Sequence, residues 1–128
     1  MKVATYLEFN LNATEVIETY QNVFNAELLL EYRFDEHMTD DDALVGKVFH
    51  AELKIGDLNL YLSDTNKSPS FNSMKFVVEI PDKVEAKTCF EKLSQGGQVL
   101  SKFKKMTFGP EIAQVEDKFG LRWDVVVC

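Results

Sequence analysis

The same order of predicted secondary-structure elements occurs twice along the chain, and this repeat constrains the fold more than any other feature. Each copy consists of a strand, a helix and three further strands, in residues 1–65 and 73–128, and the turn-rich segment 66–72 (NKSPSFN) connects them. The copies share order and hydrophobic patterning rather than identical residues. Because one helix cannot cover a four-stranded sheet, we expect the modules to share a core as a single domain, 1–128. The sequence therefore predicts an α+β fold of two βαβββ modules with curved, mixed sheets.

Each predicted helix has an apolar stripe and recognisable ends. In the first module, Asn12 is the expected N-cap, and Asn25 can adopt the left-handed conformation that ends the helix. In the second, Asp82 is the expected N-cap and Gly96-Gly97 ends the helix. The apolar stripes at helical spacing are Val16, Ile17, Tyr20, Val23 and Phe24 in the first helix, and Ala86, Cys89, Phe90 and Leu93 in the second.

Alternation along the strands divides the side chains between a helix-covered face and an opposite, concave face. Residues 48–55 and 58–63 form a hairpin around Gly56-Asp57, in which we place Phe49 on the covered face and Val48 on the concave one. The first strand, 3–9, is apolar on both faces, and we place Thr5, Leu7 and Phe9 toward the concavity. The polar residues expected on the concave face are His50, Glu52, Asn59, Tyr61, Lys75, Glu79, Gln114, Glu116, Arg122 and Asp124.

Charge and composition exclude several classes of function. The 128 residues include 14 Lys and Arg against 21 Asp and Glu, a formal net charge of −7. This charge disfavours binding to nucleic acid and to anionic membrane surfaces, since both are negatively charged. No apolar stretch is long enough to span a bilayer, and the N-terminal residues lack the apolar core of a signal peptide. With two cysteines and no disulfide framework, we expect a cytoplasmic protein.

The chain resembles the PhnB-like branch of the vicinal oxygen chelate superfamily, which includes glyoxalase I, bleomycin- and fosfomycin-resistance proteins and extradiol dioxygenases. The segments that carry the resemblance are 6–13 (YLEFNLNA), Tyr20, Val23-Phe24, 49–56 (FHAELKIG), 62–64 (LSD), Phe108-Gly109 and 117–123 (DKFGLRW). The resemblance implies the doubled βαβββ fold, a homodimer and a small organic ligand in a cavity between curved sheets. Proteins of this type often carry a demethylubiquinone methyltransferase label, yet no glycine-rich nucleotide fingerprint follows a strand here.

The resemblance also implies positions for a metal site, and the residues at those positions are poor ligands. Metal-dependent members use one ligand each from the first, fourth, fifth and eighth strands, which correspond here to Thr5, Tyr61 (or Asn59 after a shift of two residues), Ser73 and Asp124. Neutral hydroxyl groups compete poorly with water for a transition metal. We therefore expect no metal and no other cofactor. Recruitment of His50 or Glu52 would restore a metal site, and the alternative function is then a metal-dependent lyase, isomerase or dioxygenase.

The sequence predicts a ligand-binding site on the concave face. His50 and Glu52 lie two residues apart on one strand, so both point to the same side, and they are the candidate catalytic residues: a general base and its neighbouring carboxylate. The alternative is that His50 and Glu52 have no functional role and form a polar pair on the surface. A further alternative function is resistance by sequestration, in which binding alone protects the cell. The residues expected to bind the ligand are Thr5, His50, Glu52, Tyr61, Arg122 and Asp124.

Two charged segments have open roles. The acidic residues of 35–42 lack the alternating spacing of a calcium loop, so we expect a solvated loop. The basic run of Lys102, Lys104 and Lys105, with Phe103 and Phe108, would either attract an anionic ligand or protect a sheet edge from pairing with another chain.

Overall fold

The structure, a computed structural model, describes residues 1–107 and 109–128 and contains two compact units, Met1–Pro69 and Ser70–Cys128. Phe108, which belongs to the basic run and to one of the resemblance segments, lies outside the described residues. The elements of the N-terminal unit are β1 (Thr5–Asn10), α1 (Ala13–Phe24), β2 (Glu27–Arg33), β3 (Val48–Ile55) and β4 (Leu58–Thr65). Those of the C-terminal unit are β5 (Phe76–Ile80), α2 (Lys83–Ser94), β6 (Gln98–Lys105), β7 (Glu111–Glu116) and β8 (Arg122–Val127). The predicted α+β class and the repeated βαβββ order are confirmed, whereas a single shared core stays a prediction.

Each unit contains one four-stranded mixed sheet of the same topology. The N-terminal sheet has the order β1-β4-β3-β2 and the C-terminal sheet the order β5-β8-β7-β6. In each, the first strand of the unit pairs in parallel with the last, and the remaining pairs are antiparallel. Among the described residues, no helix is both long enough and apolar enough to cross a membrane.

One face of the N-terminal sheet packs against α1 and forms the core of that unit. Val16 and Tyr20 of the helix are fully buried, as are Leu60 and Leu62 of β4 and Ala51 of β3. Burying a large apolar side chain stabilises the fold by about 1.5–3 kcal/mol, so this helix-covered face fixes the orientation of every strand. The opposite face of the N-terminal sheet is called here the open face.

The two helices begin in different ways. Asp82 is extended and accepts hydrogen bonds from the amides of Val84 and Glu85, as predicted. Asn12 also lies at the N-cap position, but its side chain makes no capping bond because its ψ of 22° is not extended. The buried carboxylate of Asp64 on β4 accepts from the Ala13 amide instead, at 2.9 Å, and from the Val48 amide at 2.8 Å. The expected capping role of Asn12 is therefore wrong, and a residue distant in sequence performs it.

The predicted orientation of the first strand is also wrong. In the parallel ladder, Thr5 lies opposite Leu60 and Leu7 opposite Leu62, so these residues share the helix-covered face. Leu7 and Phe9 are buried accordingly. The residues of β1 on the open face are those of the alternate set, Tyr6, Glu8 and Asn10.

A bulge in β3 reverses another predicted assignment. Tyr32 pairs with His50 and Arg33 with Val48, which leaves Phe49 as an extra residue in β3. The strict alternation stops there, and Val48 is fully buried while Phe49 is 44% exposed. Phe49 contacts the ring of Phe34, at 5.2 Å between centroids.

Candidate functional site on the open face of the N-terminal sheet

Four side chains from three neighbouring strands meet on the open face. The ladder places Tyr6 of β1 opposite Tyr61 of β4, and Tyr61 opposite Glu52 of β3. His50 lies two residues before Glu52 on the same strand and therefore points to the same side. Tyr6, His50, Glu52 and Tyr61 are called here the Tyr–His–Glu cluster.

Hydrogen bonds fix the imidazole ring of the cluster at both nitrogens. The Tyr6 hydroxyl lies 3.1 Å from Nδ1 of His50, and Nε2 of His50 lies 3.0 Å from Oε2 of Glu52. A carboxylate can only accept, so Nε2 donates to Glu52, and in the neutral ring Nδ1 accepts from the Tyr6 hydroxyl. This network assigns the Nε2–H tautomer to neutral His50.

Aromatic contacts surround the same ring. Tyr6 stacks on His50 with 5.6 Å between centroids and 30° between planes. Tyr61 presents an edge-on contact to His50 at 5.3 Å and to Tyr6 at 6.3 Å. The Lys2 ammonium lies 5.7 Å from the centroid of the Tyr61 ring. The result is a group of rings in mutual contact whose members also carry hydrogen-bonding atoms.

The cluster is partly shielded from water. The side chains of His50 and Glu52 are 23% and 22% exposed, whereas Tyr6 is 48% exposed. Removing two charged groups from water costs much of what their attraction gains, so a shielded pair of this kind is weak evidence for a stabilising role. A half-shielded base, a carboxylate and accessible rings are the groups that orient small polar ligands in proteins.

A second polar cluster lies on the C-terminal sheet, around Asp124. Its Oδ2 lies 2.8 Å from Nζ of Lys75, and its Oδ1 accepts a hydrogen bond from Nε2 of Gln114 at 3.2 Å. Arg122 contacts Glu116 instead, at 3.4 Å. Arg122 and Asp124 therefore have different partners, because each side chain contacts the residue directly opposite it on β7.

The residues of this chain do not fit the metal site that the resemblance implies. Thr5 and Tyr61 lie on opposite faces of the N-terminal sheet, and both carboxylate oxygens of Asp124 are occupied by Lys75 and Gln114. Within residues 1–107 and 109–128, no group of three or more His, Cys, Asp or Glu is placed to hold an ion. Structural and catalytic metal sites use three or four such ligands. We therefore derive no step through a metal.

The predicted ligand-binding residues fall into three groups. His50, Glu52 and Tyr61 come together on the open face, Arg122 and Asp124 belong to the C-terminal sheet, and Thr5 lies on the helix-covered face. Their part in binding stays a prediction, as does a pocket shared by His50 and Asp124. Sequence reasoning missed Tyr6. The polar residues at positions 8 and 10 carry the signal that could have found it, since they mark its face as the open one.

Comparison with known proteins supports the same fold along the whole chain. Residues 1–126 match the model of the family described as 3-demethylubiquinone-9 3-methyltransferase. Protein YjdN of Escherichia coli is 26% identical over 99% of this chain and 95% of its own. A PhnB protein from Bacillus cereus is 25% identical, covers 100% of both chains and has a TM-score of 0.86.

A more distant structure has the same fold. The fosfomycin resistance protein FosX from Listeria monocytogenes matches with a TM-score of 0.71 over 97% of this chain and 90% of its own, at 13% identity. At that identity the match shows the fold alone. The predicted resemblance to PhnB-like proteins and the predicted glyoxalase-like fold are confirmed.

Proposed function

The chain belongs to the 3-demethylubiquinone-9 3-methyltransferase family, within the vicinal oxygen chelate superfamily, and we propose that it binds a small organic molecule on the open face of its N-terminal sheet. The observation that carries this proposal is the Tyr–His–Glu cluster. Its rings and hydrogen-bonding groups are held in one arrangement by contacts among themselves, and Tyr6 remains half exposed. Such a prepared site lowers the entropic cost of binding a ligand.

The chemistry of the cluster sets the kind of ligand. A planar group can contact the half-exposed ring of Tyr6 and the partly buried ring of Tyr61, because aromatic rings stack or meet edge-on with favourable energy. Glu52 uses Oε2 for His50, and its Oε1 can accept a hydrogen bond from a ligand donor. We therefore propose a ligand that combines a ring with at least one hydrogen-bond donor.

This proposal concerns binding and leaves the methyl transfer of the family description aside. The sequence contains no G-x-G-x-x-G segment of the kind that cradles a dinucleotide. A metal-dependent lyase, isomerase or dioxygenase would need ligands that the cluster around Asp124 does not offer, as that carboxylate is bound by Lys75 and Gln114. Sequestration of a toxic molecule requires binding only and agrees with the proposal.

We also propose that the protein forms a homodimer. The N-terminal sheet ends at β1 and β2 and the C-terminal sheet at β5 and β6, so each sheet has two edge strands. Edges of this kind favour pairing with, or cover by, another chain. Sedimentation velocity at micromolar concentration should give twice the chain mass of 14.7 kDa, and a single species of that chain mass would contradict the dimer.

The binding proposal is tested by NMR titration with three aromatic probes: phenol, indole and nicotinamide. We expect at least one of them to shift the resonances of Tyr6, His50 and Tyr61 in a saturable way. Tyr61→Ala should weaken that binding about 2- to 10-fold, the equivalent of the 0.5–1.5 kcal/mol of an aromatic contact. Val84→Ser, at an exposed position on α2, is the matched control and should leave the affinity unchanged.

Two results would contradict the binding proposal. One is the absence of any saturable shift in the cluster with all three probes. The other is an affinity that Tyr61→Ala changes no more than Val84→Ser does.

A further inference from the structure

We propose that Tyr6, His50 and Glu52 form a proton relay, in which the Tyr6 hydroxyl exchanges a proton with the bound molecule and His50 serves as its base. This inference goes beyond binding, and it rests on the proposed function only for the location of the ligand. The three residues lie in hydrogen-bonded series, and Tyr6, at 48% exposed, is more accessible to solvent than the side chains of His50 and Glu52, at 23% and 22%.

The geometry of the relay is that of an activated hydroxyl. A hydroxyl becomes reactive when a base lies within hydrogen-bond reach and a third group orients that base. Here the Tyr6 hydroxyl lies 3.1 Å from Nδ1 of His50, and Oε2 of Glu52 lies 3.0 Å from Nε2. Because Glu52 holds the proton on Nε2, the neutral ring presents a lone pair at Nδ1 to the phenol.

The proton transfer balances without an external reagent. As the Tyr6 oxygen takes a proton from the ligand, the O–H bond of Tyr6 breaks and its proton moves to Nδ1 of His50. The ligand becomes an anion, His50 becomes an imidazolium, and Glu52 stabilises that cation across the 3.0 Å contact. The reverse transfer returns the proton to the ligand at another atom or to water. The fitting substrate class is an organic molecule with a weakly acidic O–H, N–H or C–H group.

The groups that face His50 come from every strand of the sheet. Tyr6 of β1 and Tyr61 of β4 contact its ring, Glu52 neighbours it on β3, and Tyr32 of β2 lies opposite it in the ladder. The ammonium group of Lys2 lies over the ring of Tyr61, which in turn contacts His50. Glu52 is thus the carboxylate in contact with the imidazole, and the relay depends on His50 being neutral when it accepts the proton.

Acetylation by N-acetylimidazole tests the relay directly, since this reagent needs the same transfer of the phenolic proton. The acyl–nitrogen bond of the reagent breaks, an ester bond to the tyrosine oxygen forms, and the imidazole of the reagent leaves as a neutral molecule after it takes up the phenolic proton. Tyr32 is the internal control, because it is 56% exposed against 48% for Tyr6 and lies opposite His50 in the ladder, whereas the hydrogen bond to Nδ1 is made by Tyr6. We expect Tyr6 to react at least about 10-fold faster than Tyr32, the low end of general-base assistance being about 10²-fold. Peptide mass spectrometry measures both rates in one sample.

Variants separate the relay from simple exposure. His50→Gln should lower the rate of Tyr6 to that of Tyr32, because an amide can accept the hydrogen bond but is not a base. Glu52→Gln should lower the rate several-fold, and His37→Gln, at the other, exposed histidine, should leave it unchanged. In the wild type, the rate of acetylation at Tyr6 should rise with pH. The midpoint of this rise should coincide with the loss of the His50 proton followed by NMR.

Several outcomes would overturn the relay. These are a Tyr6 rate no higher than that of Tyr32, or a pH profile that does not follow His50. If far-UV circular dichroism shows that His50→Gln does not fold, the relay is tested by Glu52→Gln and by the pH dependence of Tyr6 acetylation in the wild type. Acetylation requires no bound ligand, so the two proposals can fail separately. If the probes bind but acetylation of Tyr6 is slow, the relay alone is refuted. If acetylation of Tyr6 is fast but no probe binds, the binding proposal alone is refuted.

Discussion

Replacing Asp117 by asparagine removes one acceptor from a buried carboxylate that holds the turn between β7 and β8. Oδ1 of Asp117 accepts from the amides of Phe119 and Leu121 at 2.9 and 3.0 Å, and Oδ2 accepts from Nε1 of Trp123 at 3.0 Å. Asparagine can keep the two amide bonds, but its NH₂ group then faces the indole N–H. Two donors meet inside the protein, where neither can reach water.

The structure sets the size of the effect. A hydrogen bond to a charged group contributes about 1.5–3 kcal/mol, and a buried donor left without a partner costs about 1–3 kcal/mol. The loss of the Trp123 bond and the weakening of the other two should lower the free energy of unfolding by about 3 kcal/mol. Asp117→Ala leaves all three donors without this acceptor and should cost more. Asp57→Asn, at an exposed hairpin position, should change stability by no more than about 0.5 kcal/mol.

Urea unfolding followed by fluorescence measures this directly, because Trp123 is the sole tryptophan and reports on the C-terminal unit. A double-mutant cycle with Trp123→Phe, followed by circular dichroism, isolates the indole contact. We expect Asp117→Asn to lower the free energy of unfolding by at least about 1 kcal/mol less in the Trp123→Phe background than in the wild type. The proposed role of Asp117 would be refuted if Asp117→Asn lowered the free energy of unfolding no more than Asp57→Asn does. A double-mutant cycle without coupling between Asp117 and Trp123 would also refute it.

Three local features lead to further predictions. Gly97→Ala would place a Cβ 2.2 Å from the Glu116 carbonyl oxygen, so urea unfolding should show a loss of about 2–4 kcal/mol, and an unchanged midpoint would contradict this contact. Burial raises the pKa of the Cys89 thiol from 9.0 to about 12, so Cys128 alone should react with a disulfide reagent in the folded protein. The free energy of unfolding should also fall as the pH rises above about 9, where only the unfolded thiol ionises, and a flat profile in the Cys89→Ala variant is the control. Elemental analysis of the purified protein should find no stoichiometric zinc, nickel or iron; about one metal per chain, lost in Asp124→Ala, would contradict the poor fit of the donor set.

Local signals explain why much of the fold was predictable. The Asp82 cap and the left-handed Asn25 each depend on a few neighbouring residues, and both occur as expected. The hairpin of β3 and β4 follows from alternation around Gly56-Asp57. Features of this kind need only the sequence within one turn or one hairpin.

The parts that were wrong depend on pairing between distant segments. The face of β1 is set by its parallel ladder with β4, which places Thr5 on the core side and Tyr6 in the cluster. The position of Phe49 depends on a bulge against β2, and the N-terminus of α1 depends on Asp64, far away in sequence. A one-residue change of register moves every side chain to the other face, so alternation alone could not decide between the two readings.

The tautomer of His50 is the most direct test of the prepared cluster on the open face. A long-range ¹H–¹⁵N spectrum of the imidazole rings, recorded where both histidines are neutral, reports which nitrogen carries the proton. The structure predicts the Nε2–H form for His50, with Nδ1 accepting from Tyr6, and a mixture of tautomers for exposed His37. In Glu52→Gln the Nε2–H preference should weaken, because an amide oxygen accepts less strongly than a carboxylate. An Nδ1–H form, or the same mixture at His50 as at His37, would contradict the cluster and the function built on it.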